Sequence, residues 1–480
     1  MLHRVKIYFD GALPLSKRNT RLSRLEKSRR QLENFCRVNR KGFRSVLNAK
    51  PLSTIEPHQI LQSRETFKPH GVLPDNAFMV SAVLEDLKLR WNTSAIRKRF
   101  PSRLTMDLPA KFVCPWAKLC ETVPGEADYF CGESMRRISG AAVLTSDSDL
   151  LIHDVGLENS VILFSSIEME GNHDGNLSRL VIKARSLRPA TICRRLGIPS
   201  LSYLAYELKV NPHGRLGDLI HRSKTLSGIA KQNSGYVQFM EEYRSHKPLS
   251  HVTSANSTLL QKLDVRVAEL AIQWFIEPSF REGAPRIYLP LLQEDHTRKC
   301  AWEGGRRFRT LAYSLINSAC ASRERSDIII ECVRRGCRFC LDDIVLYEDD
   351  YTELELRSLL DRLELVRTRS CEEFKYPVFW RIFAAAELCK DNEELRTSLL
   401  NRKHLQAMVG SPNDWVSWIE IHVLAQLQAV LYSLRILSQA LDIAPLDRAS
   451  KKDLHTVLSN LPSLQVMMRS LRELRTELLG

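Results

Sequence analysis

The sequence contains no uninterrupted apolar run of about 18 residues, the length that a membrane-spanning helix requires. Its first ten residues, Met1 to Asp10, contain no apolar segment of signal-peptide length. These absences argue against the secreted and membrane-spanning classes. We therefore expect an intracellular protein, nuclear or cytoplasmic, with no membrane partner. Lys17-Arg18 and Arg29-Arg30 are weak nuclear-import signals.

Cysteine is too sparse for a disulfide framework, since 12 cysteines are spread over 480 residues. The tightest group is Cys332, Cys337 and Cys340, which ends in a Cys-x-x-Cys. A zinc site normally needs two paired motifs, and no second cysteine pair or matching histidine pair follows. We interpret the group as thiols on or near a buried helix and predict no metal there.

Acidic residues are scarce at the start of the chain. Residues 1–50 hold 14 Lys/Arg and three Asp/Glu, a balance of +11 within a total net charge of +14. A concentrated basic segment suits phosphate binding, because each contact releases counterions. A solvated helix that keeps the chain soluble would have the same composition. Charge alone leaves both interpretations open.

Strands and helices alternate over about residues 1–210, which predicts an α/β fold with a mostly parallel sheet flanked by helices. The apolar run from Val5 to Phe9 predicts a buried strand, and leucines at helical spacing predict a basic helix from Lys17 to Cys36. Residues 45–75 lack periodicity and predict a loop. Further strands are predicted at 111–113, 141–144, 161–164 and 180–183, and further helices at 76–89, 115–120 and 126–138.

The second half of the chain predicts a mainly α-helical domain. Its helices are predicted at 264–275, 306–317, 352–366, 376–390 and 415–440. Trp415 to Leu437 is the strongest of these segments, but Glu420, His422, Gln426 and Gln428 interrupt it too often for a membrane span. The chain is thus predicted to contain an α/β domain over 1–215, a linker over 216–260 and a helical domain over 261–480.

Five carboxylates lie at predicted strand or helix ends. Asp10 follows the first strand, Glu126 and Asp128 open a helix, and Asp147 and Asp149 follow the strand at 141–144. In open parallel sheets, ligands bind outside the carboxyl ends of the strands, so we expect all five groups in one crevice. Each cluster alone also has a structural interpretation, as a tight turn, a helix-dipole partner or an Asx-turn.

Five carboxylates in one crevice would repel one another strongly unless a cation is present. Hard oxygen ligands suit Mg²⁺ or Mn²⁺. Two such ions, about 4 Å apart, can stabilise the attacking and leaving oxygens in phosphodiester hydrolysis. Such chemistry needs no histidine, so we interpret His153 and His213 as hydrogen-bonded structural residues.

The acidic segments resemble motifs of the XPG/flap-endonuclease superfamily. Tyr8-Phe-Asp-Gly11, with Pro14 and the helix from Lys17, resembles the "FDG…P…K…R" segment. Pro124-Gly-Glu-Ala-Asp128 with Cys131 is similar to the internal "EAEA…C" motif, and Ala142 to Leu151 is similar to the "TxDxD" strand end. Leu196 to Ala205 resembles the next helix of the PIN-like domain.

Within the superfamily, the fungal Asteroid-type, XPG-domain branch is the most similar. Thr145 to Asp154 carries this resemblance, together with the long helical extension that includes Ile287-Tyr-Leu-Pro-Leu-Leu and Trp302. The nuclease-like similarity covers about residues 5–215.

The resemblance implies a PIN-like domain, a divalent metal site and DNA or RNA as the substrate class. At the matching positions, the catalytic metal ligands would be Asp10, Glu126, Asp128, Asp147 and Asp149, with Asp128 in place of the usual Glu. The basic helix would hold phosphates through Lys17, Arg18, Arg21 and Arg24.

Two departures from the family pattern bear on activity. Family members have a further strand and metal-binding Asp before the Phe-Asp-Gly segment, whereas Met1 here almost adjoins it. We expect either a sequence that begins downstream of the true start or a lost strand, which would leave backbone groups unpaired. The family's late Asp falls near Asn211, a weaker ligand, and no helix-two-turn-helix motif is recognisable at Gly214 to Ile220.

Three hypotheses follow. The first is a Mg²⁺- or Mn²⁺-dependent nuclease, and the second is a catalytically degenerate PIN-like protein that binds nucleic acid or a protein partner without cutting. In the third, the helical half is a platform for a protein partner. An exposed apolar groove, with no basic crevice beside the acidic site, would favour the third hypothesis.

Overall fold

The computed structural model describes the chain over several ranges. They are residues 5–44, 73–91, 94–95, 116–170, 181–230, 232–241, 243, 258–389, 406, 415–445, 447–471 and 473–475. The strand predicted at 111–113 and almost all of the loop predicted at 45–75 lie outside these residues.

The first half alternates strands and helices, as its sequence periodicity predicted. Its elements up to the middle of the chain are β1 (Ile7–Phe9), α1 (Arg18–Val38), β2 (Phe43–Arg44), α2 (Met79–Glu85), α3 (Trp116–Leu119), β3 (Cys120–Thr122), α4 (Ala127–Arg136), β4 (Ala142–Thr145), β5 (Ser160–Leu163), β6 (Glu168–Glu170), β7 (Val181–Lys183), β8 (Ser186–Leu187), α5 (Pro189–Leu196) and α6 (Leu201–Val210). Local chemistry sets several boundaries: Pro189 occupies the first turn of α5, and Gly197, at φ 65°, ends that helix.

The strands of the first half form small sheets instead of the single mostly parallel sheet that the sequence predicted. β1 pairs in parallel with β3, and β4 pairs in parallel with β5. β8 joins β5 in antiparallel orientation, and β6 pairs with β7. Among the described strands, none pairs with the second edge of β1 or of β4. The fold class is therefore α/β, but strands of two to four residues give only short hydrogen-bonded ladders.

Two helices occupy much of the segment that was predicted as a linker over 216–260. They are α7 (Leu216–Ile229) and α8 (Ser234–Glu241). Buried Leu226, Tyr236 and Phe239 pack the two helices into one apolar cluster. Because these side chains bury apolar surface, the two helices are held together by packing.

The second half is mainly helical, as predicted. Its elements are α9 (Val265–Ala271), β9 (Arg286–Tyr288), α10 (Arg306–Ser318), β10 (Ile328–Arg335), β11 (Arg338–Val345), α11 (Asp349–Ser370), α12 (Pro377–Leu388), β12 (Trp415–Val416), α13 (Trp418–Ile443), α14 (Ala449–Leu458) and α15 (Leu464–Met467). Short π-helical turns extend α2 and α9, at Asp86–Arg90 and Ile272–Ile276.

A three-stranded sheet interrupts this helical half. β9 pairs in parallel with β10, and β10 forms an antiparallel hairpin with β11 through a turn at Gly336, whose φ is 57°. The cysteine group was predicted to lie on or near a buried helix. Cys332, Cys337 and Cys340 lie on this hairpin and not on a helix, although β11 packs near α1. The β-branched run that begins at Ile328 favours a strand, and the glycine permits the tight reversal.

The largest core surrounds α13 in the second half, and the first half contributes to it. Trp274, Trp302 and Trp380 are fully buried there, and Ala12 and Phe78 join them from the first half. Ser417 and Glu420 form a capping box that starts α13. Among the described helices, α13 is the one long and apolar enough to cross a membrane by composition, and 61% of its most apolar 18-residue window is buried.

Candidate functional site

Asp10 lies at the carboxyl end of β1 and joins that strand to the start of α4. One of its carboxylate oxygens accepts a hydrogen bond of 2.7 Å from the backbone N–H of Ala127. The next residue, Gly11, donates its own N–H to the carbonyl of Gly125 at 3.0 Å. The strand end is thereby fixed against the segment that carries Glu126 and Asp128.

Gly11 is required by close packing and not by a tight turn. A Cβ at this position would meet the carbonyl oxygen of Val123 at 2.1 Å and the Cδ1 of Ile272 at 2.5 Å. The glycine therefore lets β1, the end of β3 and the second half approach one another. This close approach fixes the position of the Asp10 carboxylate relative to the start of α4.

Glu126 and Asp128 come from the first turn of α4. Glu126 occupies the N-cap position, but its side chain makes no capping hydrogen bond. The carboxylate of Asp10 accepts the hydrogen bond from Ala127 instead. Glu126 lies 3.5 Å from the ammonium of Lys17, which precedes α1.

Asp147 and Asp149 follow β4 at a bend into a short 3₁₀ turn, Ser148–Leu151. The N–H of Asp147 donates to the Thr145 hydroxyl at 3.0 Å, and the N–H of Asp149 donates to the Asp147 carboxylate at 2.9 Å. These bonds bend the chain, so that both carboxylates leave the regular alternation of the strand. Both side chains are exposed.

Asp128 lies within electrostatic range of the four other carboxylates. Its burial raises its pKa, and the negative charges of Asp10, Asp147, Glu126 and Asp149 raise it further, to about 6. Three separate chain segments therefore bring their acidic groups to one place, at the carboxyl ends of β1 and β4 and the start of α4. The strand-end pattern predicted that these five side chains would share one crevice, and the structure places the other four within electrostatic range of Asp128.

The acidic groups have the right chemistry for a divalent metal. Oxygen-only donors with unfavourable mutual repulsion match hard cations such as Mg²⁺ and Mn²⁺. Over the described ranges, no three His, Cys, Asp or Glu side chains form a ready-made ligand group. Asp10, Asp147 and Asp149 are exposed, so a cation can reach their carboxylates from solvent. The types of donor residue present therefore suit such a cation.

Two neighbours of the acidic groups, Cys131 and His153, are uncharged near pH 7. Burial, with the charges of Asp128 and Asp10, raises the pKa of Cys131 to about 11, so the thiol stays protonated. Burial lowers the pKa of His153, which keeps its ring neutral near pH 7. Its ring packs edge-on against Tyr243, in agreement with a structural role.

The predicted phosphate-binding face of α1 is largely engaged within the protein. Arg18 donates to Glu282 at 3.0 Å. Arg21 makes two hydrogen bonds to the buried carboxylate of Glu269, and its guanidinium stacks on Tyr288 at 4.2 Å. Arg24 is exposed to solvent. Arg21 thus holds α1 against the second half, whereas Arg24 faces outward.

Lys17, Arg18, Arg21 and Arg286 line a narrow crevice between α1 and the second half. The Nε of Arg286 is buried and has no hydrogen-bond partner among the residues that the structure describes. Because Lys17 also reaches Glu126, this basic crevice adjoins the acidic groups.

Asn211, the position where the resemblance placed a further acidic ligand, ends α6. Its N–H donates to the carbonyl of Glu207 at 2.8 Å. It is not among the groups that shift the pKa of Asp128.

Tyr243 is a residue of the site that sequence reasoning missed. Its hydroxyl donates to a carboxylate oxygen of Asp149 at 3.3 Å across 94 positions of sequence. No motif surrounds it in the sequence. The only available signal was the close spacing of three aromatic residues, Tyr236, Phe239 and Tyr243.

A family model described as XPG domain containing matches residues 75–346, more than half of the chain. The chain belongs to this XPG domain-containing family. The match includes Glu126, Asp128, Asp147 and Asp149 and continues through β11. It supports the PIN-like nuclease superfamily that the sequence motifs indicated. No curated protein and no solved structure matches the chain.

Proposed function

We propose that this XPG-family protein is a divalent-metal-dependent nuclease that hydrolyses phosphodiester bonds in DNA or RNA. The observation that carries the proposal is the placement of the carboxylates. Asp10 hydrogen-bonds to the start of α4, and Asp10, Glu126, Asp147 and Asp149 all lie within electrostatic range of Asp128. Such clustering is costly for an empty site and is relieved by cations. The Asteroid-type branch, suggested by Thr145 to Asp154, is part of the same proposal.

Different residues of the chain would bind the metal ions, bind the phosphates and hold α1 in place. Asp10, Glu126, Asp128, Asp147 and Asp149 would hold Mg²⁺ or Mn²⁺, in a site for two ions. When bound, such ions stabilise charge on the attacking and leaving oxygens of the phosphodiester. The adjoining crevice would bind phosphate oxygens through Lys17 and Arg18, and Arg24, on the exposed face of α1, would contact the nucleic acid outside the crevice. Arg21 would keep α1 in place through its contact with Glu269.

A second candidate function is nucleic-acid binding without cleavage. The observation that favours it is that several carboxylates already have internal partners. Asp10 caps α4, Glu126 pairs with Lys17, and Asp149 accepts from Tyr243. This candidate predicts binding that persists in EDTA. A protein partner for the helical half is a further hypothesis. The absence of a basic crevice beside the acidic site would have favoured it, whereas such a crevice adjoins the acidic groups.

The deciding experiment incubates folded protein with labelled flap DNA, single-stranded DNA and single-stranded RNA in Mn²⁺. Asp147→Asn/Asp149→Asn should lose at least 100-fold in cleavage rate, because it removes two of the five proposed ligands. Asp154→Asn is the matched control, since Asp154 is an exposed carboxylate five residues away that does not act on Asp128. Equal cleavage by all three proteins would overturn the proposal. No cleavage, with EDTA-resistant binding, would favour the second candidate.

A further inference from the structure

Tyr243 connects the two sides of the acidic site. Its hydroxyl donates to Asp149 at 3.3 Å, and the ammonium of Lys17 lies 5.9 Å from the centre of its ring. Lys17 in turn lies 3.5 Å from Glu126. The Tyr243 side chain is therefore linked directly to Asp149, which follows β4, and through Lys17 to Glu126 at the start of α4.

The ring of Tyr243 is held on other sides as well. Phe239 contacts it at a centroid distance of 5.0 Å, and His153 packs edge-on at 5.8 Å. These contacts come from α8 and from the turn that follows β4. A ring fixed from several elements has few accessible rotamers, so the position of its hydroxyl is restricted.

An aromatic cluster fixes α8, the helix that precedes Tyr243 in the chain. Tyr203 stacks on Tyr236 at 4.9 Å, and Tyr206 contacts both Tyr236 and Phe239. The Tyr236 hydroxyl is within 2.8 Å of the Ser202 hydroxyl. Tyr236 and Phe239 are buried, so α8 is packed against α6 and cannot slide without breaking several ring contacts.

Asp149 itself is exposed and lies on a short turn, and its carboxylate would otherwise rotate in solvent. A hydrogen bond from a fixed phenol restricts that rotation and orients the carboxylate. The aromatic cluster already packs α8 against α6, so the contact between Tyr243 and Asp149 is not required to stabilise that helix.

We propose that Tyr243 is a positioning residue that holds the carboxylate of Asp149 in the orientation needed to bind a divalent cation. This inference rests on the proposed function, because it assigns Asp149 to a metal site. It adds the α6–α8 aromatic cluster to the elements that build the site.

The test compares Mn²⁺ binding, measured by electron paramagnetic resonance, in Tyr243→Phe and Tyr206→Phe. Both variants lose one phenolic hydroxyl from the same cluster, but the Tyr206 hydroxyl donates to Asn233 and not to an acidic group of the site. Tyr243→Phe should weaken Mn²⁺ binding by about three- to tenfold, the range for one ordinary hydrogen bond, because the bond to Asp149 is long at 3.3 Å. Tyr206→Phe should leave it unchanged. Circular dichroism verifies that both variants fold.

A double-mutant cycle shows whether Tyr243 acts through Asp149. In an Asp149→Asn background, Tyr243→Phe should have no further effect on Mn²⁺ affinity. An undiminished effect there, or wild-type affinity of the single variant Tyr243→Phe, would overturn the positioning role and leave the proposed nuclease function standing. If the wild-type chain neither binds Mn²⁺ nor cleaves nucleic acid, both inferences fail together.

Discussion

The ammonium of Lys17 lies 3.5 Å from the carboxylate of Glu126, at the point where the basic segment of the chain meets its acidic site. In this position the lysine partly compensates the charge of the carboxylates. It would also compete with a divalent cation for Glu126. The same ammonium is close enough to the basic crevice to contact a phosphate held beside the ions.

Lys17→Gln should therefore have opposite effects on two ligands. Mn²⁺ should bind about three- to tenfold more tightly, because a positive charge is removed from the edge of the cation site. Nucleic acid should bind more weakly and with a smaller salt dependence. Lys27→Gln, at an exposed position of the same helix, is the charge-matched control for both titrations. Equal effects of the two substitutions on Mn²⁺ affinity would contradict this account of Lys17.

Gly11→Ala should lower the free energy of unfolding by about 1–3 kcal/mol, because its Cβ would overlap the Val123 carbonyl and the Ile272 side chain. Urea denaturation measures this change. Gly217→Ala is the comparison, since a Cβ there meets nothing within 4 Å and Gly217 lies in α7. That substitution should raise the free energy by about 0.5–1 kcal/mol. A neutral Gly11→Ala would show that the close approach is not needed.

Arg21→Met should lower the free energy of unfolding by about 2–4 kcal/mol, because the carboxylate of Glu269, with 6% of its side chain exposed, loses its guanidinium partner. The double variant Arg21→Met/Glu269→Gln should recover part of the loss. Arg24→Met, at an exposed position of α1, should change stability by no more than about 0.5 kcal/mol. Similar losses for Arg21→Met and Arg24→Met would contradict a structural role for Arg21.

Asp128→Asn should stabilise the protein in EDTA at pH 7.5, by about 1–2 kcal/mol after allowance for solvent screening. The pKa of Asp128 is raised from 3.8 to about 6, so the folded state binds more protons than the unfolded state between these values. Wild-type stability therefore falls as pH rises through this window. The advantage of the variant should disappear below about pH 4. A pH-independent difference between the two proteins would exclude charge repulsion as its cause.

Part of the site was predictable because strand ends obey a general rule. Asp10, Asp147 and Asp149 follow short apolar runs, and Glu126 and Asp128 follow a Pro-Gly, so each carboxylate could be placed at an element end. The rule does not give distances. It could not show that Asp10 caps α4, or that Lys17 reaches Glu126, because both contacts depend on how separate segments pack.

Other features depend on long-range packing that local patterns do not encode. Tyr243 reaches Asp149 only because α8 packs on α6 through Tyr236 and Phe239. The strands form several small sheets because only certain strand edges pair with one another. The periodicity of the sequence does not specify which edges pair. The β10–β11 hairpin did have a local sequence signal, in its β-branched residues followed by Gly336.

The central claim is that five carboxylates from three chain segments form one cation site. Mn²⁺ titration of the full chain, followed by electron paramagnetic resonance, tests it most directly, with Asp128→Asn and the control Asp154→Asn measured alongside. The account predicts that the wild type and Asp154→Asn bind Mn²⁺ with equal affinity and that Asp128→Asn binds at least tenfold more weakly. Equal binding by all three proteins, or no binding by the wild type, would contradict it.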